Sequence, residues 1–213
     1  DLGVEIKGDS LKDKKILLGI SGGIAATQSV KLLRELRRYQ AEITVMMTEG
    51  SQKIITPLAI SWAGNCTVIT EWEHEMAGLQ DYDGILIAPT TRNIMAKIAN
   101  GIIDCPLLMA LSAARTNSIP VMIIPSMHYN LANDPKTNKL SEIIQNMKFE
   151  IFSGDFDENK LKQPNEISIV ANFSNHVNKS LPSRKKIVIT LGSTTTYLDD
   201  IRYVKNTSSG KTG

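Results

Sequence analysis

Apolar residues along this chain fall into short runs, and the segments between the runs carry apolar residues on one helical face. Five runs have the length of buried strands: residues 16–20, 42–47, 83–88, 120–124 and 150–152. The intervening segments predict helices at residues 22–39, 50–63 with a break near Pro57, 94–99, 105–114, 140–147 and 165–178. This alternation predicts an α/β fold in which helices cover both faces of a parallel sheet.

The ends of the chain and one internal segment lack this pattern. Residues 1–14 carry scattered charges and predict a surface lead-in, and the polar residues 154–164 predict a loop. Residues 179–186 contain Pro182 and four basic residues and predict a linker, after which residues 187–191 would begin a new strand. We therefore predict one domain over residues 1–178, a linker at 179–186 and the start of a second domain over 187–213.

The first apolar run ends on Ser21, Gly22 and Gly23, and Ile24 and Ala25 open the predicted helix. A strand that ends in so tight a turn leaves backbone N–H groups free at the start of the helix, where they can bind a phosphate. The dinucleotide fingerprint Gly-x-Gly-x-x-Gly is missing, because alanine stands where its third glycine is needed. An ordinary tight turn remains an alternative at this point.

Four loops follow predicted parallel strands, at residues 21–25, 48–51, 89–93 and 125–130. The carboxyl ends of such strands form one edge of the sheet, where open α/β sheets bind their ligands. The loops share small, hydroxyl and amide side chains, with little charge beyond Glu49 and Arg92. This composition suits a large neutral ring that carries one phosphate, although each loop alone could be an ordinary turn.

The charge balance and the cysteine count exclude several classes of function. The 24 basic and 22 acidic residues give a net charge of +2, which is too small to favour nucleic acid or an anionic membrane surface. The two cysteines have no metal-ligand spacing and are typical of a reducing compartment. No apolar run is long enough to span a bilayer. We expect a soluble, cytoplasmic protein without a metal site that acts on a small molecule.

Four segments together resemble the flavin-containing cysteine decarboxylase family. The turn at residues 21–26 matches the glycine turn of that family, and residues 89–94 are similar to its Pro-Ala-Ser-Ala-Asn-Thr motif. Residues 125–131 are similar to its Pro-x-Met-Asn-x-x-Met segment, with His128 in place of the asparagine, as in archaeal-type members. Residues 156–162 look like its Glu-x-Gly-Lys-Ala-Lys closing segment, and the whole resemblance covers roughly residues 15–178.

The resemblance implies a Rossmann-like, flavodoxin-like fold with FMN as cofactor. It implies decarboxylation of 4′-phosphopantothenoylcysteine to 4′-phosphopantetheine in coenzyme A biosynthesis. The flavin would first oxidise the CH₂–SH group to a thioaldehyde, which then accepts the electrons released with CO₂. It also implies a homotrimer, in some relatives assembled further into a dodecamer, with the apolar helix at residues 105–114 at a subunit contact.

The resemblance also assigns roles to particular residues. FMN would be bound by Ser21, Gly22, Gly23, Ile24, Ala25, Thr48, Thr90 and Thr91. The substrate would be bound by Asn93, Met127 and His128, with Asn93 on the carboxylate as one of two catalytic residues. The second would be a histidine acid or base, which the family places eight residues before the aspartate of the third strand. That position is Glu75 here, so a one-residue insertion would be needed to make His74 this residue.

The histidine and the closing segment leave alternatives open. His74 could instead be a surface histidine beside Glu71, Glu73 and Glu75. Bacterial members carry a cysteine in the closing segment, whereas residues 154–164 contain none, so solvent or Lys160 would have to protonate the enethiolate. The competing hypotheses are a flavin-binding regulatory subunit, a flavin prenyltransferase-like enzyme and a plain nucleotide-binding module.

The tail of the chain resembles a different enzyme. Residues 192–194 and 199–213 look like the opening of the phosphopantothenate–cysteine ligase that many microbes carry behind the decarboxylase. Gly210, Lys211 and Thr212 do not form a P-loop, because Lys205 stands where that loop needs its first glycine. We expect a bifunctional protein truncated early in the ligase, and one strand with a loop cannot provide ligase activity.

Overall fold

The computed structural model describes residues 3–72, 81–182, 184, 195–199 and 202–205. The chain divides into two compact units, Asp1–Lys179 and Ser180–Gly213. In the second unit, β10 (Thr195–Tyr197) pairs with β11 (Tyr203–Lys205) in antiparallel fashion. Residues 187–194 and 206–213 lie outside the described residues, and the predicted domain boundaries stay predictions.

Six strands of the first unit form a parallel sheet in the order β3-β2-β1-β4-β5-β7. They are β1 (Lys15–Ile20), β2 (Glu42–Met47), β3 (Thr67–Ile69), β4 (Gly84–Thr90), β5 (Val121–Pro125) and β7 (Glu150–Ile151). The interior strands β1, β4 and β5 are buried almost throughout, as expected for parallel strands covered on both faces. The predicted Rossmann-like, flavodoxin-like α/β architecture is confirmed.

Helices pack on both faces of this sheet. They are α1 (Ser29–Arg38), α2 (Glu49–Gln52), α3 (Pro57–Gly64), α4 (Arg92–Asn100), α5 (Pro106–Asn117), α6 (Tyr129–Ala132), α7 (Pro135–Asn146) and α8 (Glu166–Val177). Alternate residues of β1 divide between two hydrophobic cores: Ile16 and Leu18 belong to the core formed with α1, α3 and α8. Leu17 belongs to the core formed with α4, α5 and α7. No helix in the described part of the chain is long and apolar enough to cross a membrane.

Strand order reverses between β1 and β4, because β2 and β3 continue on one side and β5 and β7 on the other. Adjacent loops that leave the sheet in opposite directions open a crevice at the carboxyl ends of these two strands, and ligands of open α/β sheets bind there. The loop after β1 holds Ser21 and the glycines, and the loop after β4 holds Thr91. The topology therefore brings two of the predicted loops together.

A second, antiparallel sheet lies where a loop was predicted. It consists of β6 (Met127–His128), β9 (Lys160–Leu161) and β8 (Phe156–Asp157), in that order. The prediction of a loop over residues 154–164 is wrong because each hairpin strand is two residues long, too short for a period in the sequence. We call residues 155–163, which contain β8 and β9, the flap.

Several other predicted elements need correction. Leu11 is completely buried in the core, so residues 1–14 are not only a surface lead-in. The predicted helix at 22–39 begins with a 3₁₀ segment, Ile24–Gln28, before α1. β3 was not predicted, because it is a short and partly exposed strand at the sheet edge. α7 begins earlier than predicted, since Asp134 accepts a hydrogen bond from the Lys136 N–H and caps a polar first turn.

Candidate functional site

Ser21 joins the loop after β1 to the loop after β4. Its side chain is completely buried, and its Oγ donates a hydrogen bond to the carbonyl of Pro89 at 2.8 Å. The same Oγ accepts a hydrogen bond from the Thr91 N–H at 2.9 Å. A third bond runs from the Ser21 N–H to the Pro89 carbonyl at 3.2 Å. The serine therefore fixes the position of the glycine turn relative to β4.

The glycine turn leaves four consecutive N–H groups available. Within the described residues, no hydrogen bond from the N–H of Gly22, Gly23, Ile24 or Ala25 is found, and the next amide, that of Ala26, donates to the Gly23 carbonyl. Gly23 has a φ of 112°, a conformation that residues with a side chain rarely adopt. A run of free amides in such a turn forms a concave site for an anion.

The turn also approaches the segment after β2 closely. A Cβ added to Gly22 would lie 3.2 Å from the carbonyl carbon of Gly50, so a side chain at this position would push the Gly50 backbone away by a few tenths of an ångström. Thr48 stands at the start of that segment, and its N–H donates to the carbonyl of Ile20 at 3.1 Å. The backbone of the β2 loop is thus fixed beside the turn.

The last residue of β4, Thr90, and the two predicted site residues after it, Thr91 and Asn93, differ in what they face. Thr91 caps α4 by accepting a hydrogen bond from the Ile94 N–H, and Asn93 is exposed in the first turn of that helix. Thr90 is completely buried, and its hydroxyl donates to the Ile87 carbonyl at 2.8 Å. The structure therefore does not bring the Thr90 side chain to the cavities described next, and its predicted contact with FMN remains untested.

The main cavity, of about 460 Å³, lies between the glycine turn, the start of α4, β6 and the flap. This volume falls in the range of about 300–1,000 Å³ that is usual for small-molecule sites. Of the predicted residues it is lined by Gly22, Gly23, Ile24, Ala25, Thr91, Asn93, Met127 and His128. The predicted cofactor loop and the predicted substrate residues thus face one space.

A second cavity, of about 320 Å³, adjoins the first. Gly22, Thr91 and Asn93 line both cavities, and Thr48 lines the second one only. Cys105 also lines the second cavity, and it is a free cysteine. The four predicted loops therefore meet around two adjoining cavities.

The cysteines and histidines differ in burial and in their position relative to the cavities. Burial raises the pKa of Cys66 to about 11, so this thiol stays protonated near neutral pH, and it lies far along the chain from the flap. His128 is exposed at the main cavity. His74, the predicted acid or base, lies outside the described residues, and its role stays a prediction.

Several residues that line the cavities were not assigned to the site from the sequence, among them Arg92 and Gln163. Arg92 lines the main cavity and is tied to the α6–α7 segment, since Nη2 donates to Asp134 and Nε donates to the Thr137 hydroxyl, both at 2.7 Å. Gln163 is buried on the flap side, and its Oε1 has no hydrogen-bond partner. The arginine stood out only as a charge in a neutral loop, and no sequence signal marked the glutamine.

The sequence of the chain matches models of two known protein domains. The model of the Flavoprotein family matches residues 5–195. The chain belongs to the Flavoprotein family. A second model, that of the DNA/pantothenate metabolism flavoprotein C-terminal domain, matches residues 183–213. The resemblance seen in the sequence is confirmed at the level of the family.

Curated relatives of this Flavoprotein-family chain are bifunctional proteins. It is 37% identical over 214 residues to the coenzyme A biosynthesis bifunctional protein CoaBC of Thermococcus kodakarensis, covering 97% of this chain and 53% of that protein. The corresponding protein of Methanocaldococcus jannaschii is 32% identical, with 97% and 52% covered. The chain spans about half the length of the curated relatives it matches.

Solved structures share the fold at low sequence identity. The FMN-dependent cysteine decarboxylase SpaF superposes with a TM-score of 0.69 at 21% identity, covering 78% of this chain and 98% of that chain. A PPC decarboxylase variant complexed with pantothenoylaminoethenethiol gives a TM-score of 0.66 at 19% identity, covering 76% and 96%. The FMN binding protein AtHal3 gives 0.68 at 20%, covering 82% and 100%. These likenesses support the flavodoxin-like architecture of the first unit.

Proposed function

We propose that this chain is an FMN-dependent decarboxylase that converts 4′-phosphopantothenoylcysteine to 4′-phosphopantetheine in coenzyme A biosynthesis, in the cytoplasm. The observation that carries the proposal is the main cavity, where the free amides of the glycine turn face the same space as Asn93, Met127 and His128. The names of the CoaBC relatives and of the PPC decarboxylase with a similar fold support the choice of substrate.

The glycine turn and its neighbours fit FMN. Backbone amides of residues 22–25 and the loop at Thr48 would hold the phosphate, and Thr91 and the apolar wall at Ile24 would border the ring system. Thr90 would act only through the backbone, because its hydroxyl is bonded to Ile87. FMN, when bound, supplies a two-electron oxidation of the substrate CH₂–SH group and returns the electrons after CO₂ has left.

Asn93 would orient the carboxylate that is lost. Its amide can donate a hydrogen bond without adding charge, whereas a lysine would stabilise the carboxylate in the ground state and oppose its loss. Met127 is buried under the cavity and would hold the substrate chain, with His128 exposed beside it. His74 would move the proton of the thiol or of the adjacent CH₂ group.

The proposal includes the organisation of the whole protein. Residues 1–178 would be the decarboxylase domain, 179–186 a linker and 187–213 the start of a ligase domain. The decarboxylase would assemble as a trimer with α5 at the contact between subunits, and such trimers would assemble further into a dodecamer. Met109 of α5 and the nearby Ile102 and Ile103 are exposed apolar side chains that such a contact would cover. Gel filtration that gives a monomer with full FMN content would contradict this assembly.

The decisive experiment combines a visible spectrum with an assay of CO₂ release. The purified protein should be yellow, and addition of 4′-phosphopantothenoylcysteine should give CO₂ and 4′-phosphopantetheine, detected by mass spectrometry. A colourless protein that does not bind added FMN would reject the flavin site. A yellow protein that releases no CO₂ would favour the regulatory subunit over the decarboxylase.

The His74 assignment has a matched control. His74→Asn should lower kcat by roughly 10²–10⁴-fold, the usual contribution of a general acid or base, with FMN content unchanged. His176→Asn makes the same substitution at a half-buried histidine of α8 and should leave kcat unchanged. Equal activity of the two variants would remove His74 from the mechanism.

A further inference from the structure

The main cavity is lined by basic side chains and by no acidic one. Among the described residues around it, Arg92, Lys160 and Lys162 are basic, and neither aspartate nor glutamate is present. A cavity with this lining favours anionic ligands. The amides of the glycine turn offer one anion site, and the basic side chains lie on other walls of the same space.

Two of these basic side chains, those of Arg92 and Lys162, already form ion pairs with carboxylates. Arg92 donates to Asp134 and to the hydroxyl of Thr137. Lys162 forms ion pairs with Asp157 and Glu158 at the tip of the flap, and these hydrogen bonds raise the pKa of Lys162. Their charges are largely balanced within the protein.

Lys160 is different. It is half-buried on β9 and lines the main cavity, and no hydrogen bond or ion pair of its ammonium group is found with any described residue. Its strand neighbour is His128, with which it is paired in register across β6 and β9. A half-buried ammonium group without a counter-ion retains its donors for a ligand.

We propose that Lys160 binds the terminal phosphate of the substrate and thereby makes the site specific for phosphorylated molecules. This inference rests on the proposed function, since the substrate named there carries a phosphate monoester with a charge of about −1.5 to −2 at neutral pH. The flap thus recognises the end of the substrate that does not react, while Asn93 meets the carboxylate. Lys160 is a specificity residue that takes no part in the bond cleavage.

The test compares two substrates in two variants. Lys160→Gln should lower kcat/KM for 4′-phosphopantothenoylcysteine by about 10- to 100-fold, mainly through KM, as expected for loss of a hydrogen bond between charged groups. The same variant should keep its kcat/KM for pantothenoylcysteine, which lacks the phosphate. Lys162→Gln is the matched control on the same flap, two residues further along, and its preference between the substrates should change less than about threefold, because Lys162 is already paired with Asp157 and Glu158.

Three outcomes would overturn the proposal. An equal loss with both substrates would show that Lys160 serves the chemistry, for example by protonating the enethiolate. No loss with either substrate would place the phosphate elsewhere. A fall in the FMN content of Lys160→Gln, measured by visible absorbance, would show that the lysine binds the phosphate of the cofactor instead.

A binding experiment separates this inference from the proposed activity. Titration calorimetry with 4′-phosphopantothenate and pantothenate measures phosphate recognition without turnover. If the wild type releases no CO₂ but prefers the phosphorylated ligand, and Lys160→Gln loses that preference, the phosphate site stands and the decarboxylase fails. If the wild type is an active decarboxylase without a Lys160-dependent preference, the activity stands and the phosphate site fails.

Discussion

The glycine turn and the flap face the same cavity but are stabilised in different ways. The turn is anchored by the completely buried Ser21, which makes hydrogen bonds to two residues of the β4 loop. In the flap, β8 is exposed and β9 is only half-buried, and an edge-to-face contact between Tyr129 and Phe156, with ring centroids 5.4 Å apart, joins the flap to α6. Local stability follows buried apolar contacts and protected hydrogen bonds, so the flap should open at a lower free energy than the turn.

This difference in stability matches the roles proposed for the glycine turn and the flap, which form two walls of the main cavity. A tightly bound cofactor is served by donors whose positions do not change, because preorganised groups need no reorganisation when they bind. A substrate that must enter and leave is served by a wall that opens at small cost. The comparison predicts that changes at the turn affect the whole protein and its flavin, whereas changes at the flap affect the substrate.

The largest effect is expected from Ser21→Ala. The substitution leaves the Thr91 N–H without its acceptor and removes one of the two hydrogen bonds that Ser21 donates to the Pro89 carbonyl, which costs about 1–3 kcal/mol in the free energy of unfolding. The glycine turn then loses its anchor, and the purified variant should retain less FMN than the wild type. Urea unfolding and the visible spectrum measure the two effects.

Thr27→Ala is the control for this variant. Thr27 also lines the main cavity, but it is exposed and its hydroxyl donates only to the Ile24 carbonyl of its own turn. Its stability and FMN content should stay close to those of the wild type. If both variants behave alike, the buried bridge made by Ser21 does not anchor the turn.

A smaller and more local effect is expected from Gly154→Ala at the base of the flap. A Cβ at this position would overlap the carbonyl oxygen of Lys162 and lie 3.0 Å from the nitrogen of Pro164. The flap has to move to accept it, which should raise the substrate KM about tenfold, equivalent to about 1.4 kcal/mol of binding free energy. FMN content should not change.

Limited proteolysis supplies an independent measurement of the same variant. Cleavage within residues 155–163 should become faster in Gly154→Ala, since proteases cut locally opened segments. Ser153→Ala, at the preceding exposed position, adds no atoms to the crowded point and should be cut at the wild-type rate. Loss of FMN from Gly154→Ala would contradict the division of roles between the turn and the flap, because the flap would then also stabilise the bound cofactor.

The two walls also differed in how far the sequence could predict them. The turn follows a strand that is buried on both faces, and such strands carry a continuous apolar run, so the strand, its end and the glycines were recognisable. The flap consists of two-residue strands whose pairing with β6 joins segments about thirty residues apart, as in the Met127–Leu161 pair. A local pattern does not encode such a pairing.

Individual site residues also differ in how well the sequence could predict them. Asn93 and Met127 could be placed at the cavity because each lies in a loop after a predicted strand, in a segment that resembles a motif of the family. The inward hydroxyl of Thr90 and the unpartnered amide oxygen of Gln163 depend on neighbours brought in by tertiary packing. The free state of Lys160 likewise depends on which carboxylates the fold places nearby. Sequence therefore predicts which loops form the site better than which atoms in them remain available.

The smallest expected effect concerns α8, the helix that follows the flap, and tests whether the end of this helix is firmly packed. His176 is half-buried near the end of α8. Burial lowers its pKa below 6.5; Glu150 opposes this shift, Lys179 reinforces it, and a backbone hydrogen bond at Val121 opposes it. The unfolded chain therefore binds a proton more readily than the folded chain, and stability falls as the pH drops below about 6.5.

His176→Asn removes this contribution, so the variant should lose less stability than the wild type between neutral pH and about pH 5. The half-exposed ring is screened by solvent, and the difference in Tm should be only about 1–2 °C, measured as parallel melting curves over that range. If the His176 variant follows the wild-type curve, the end of α8 opens as readily as the flap, and the firmly packed region of the chain ends before His176.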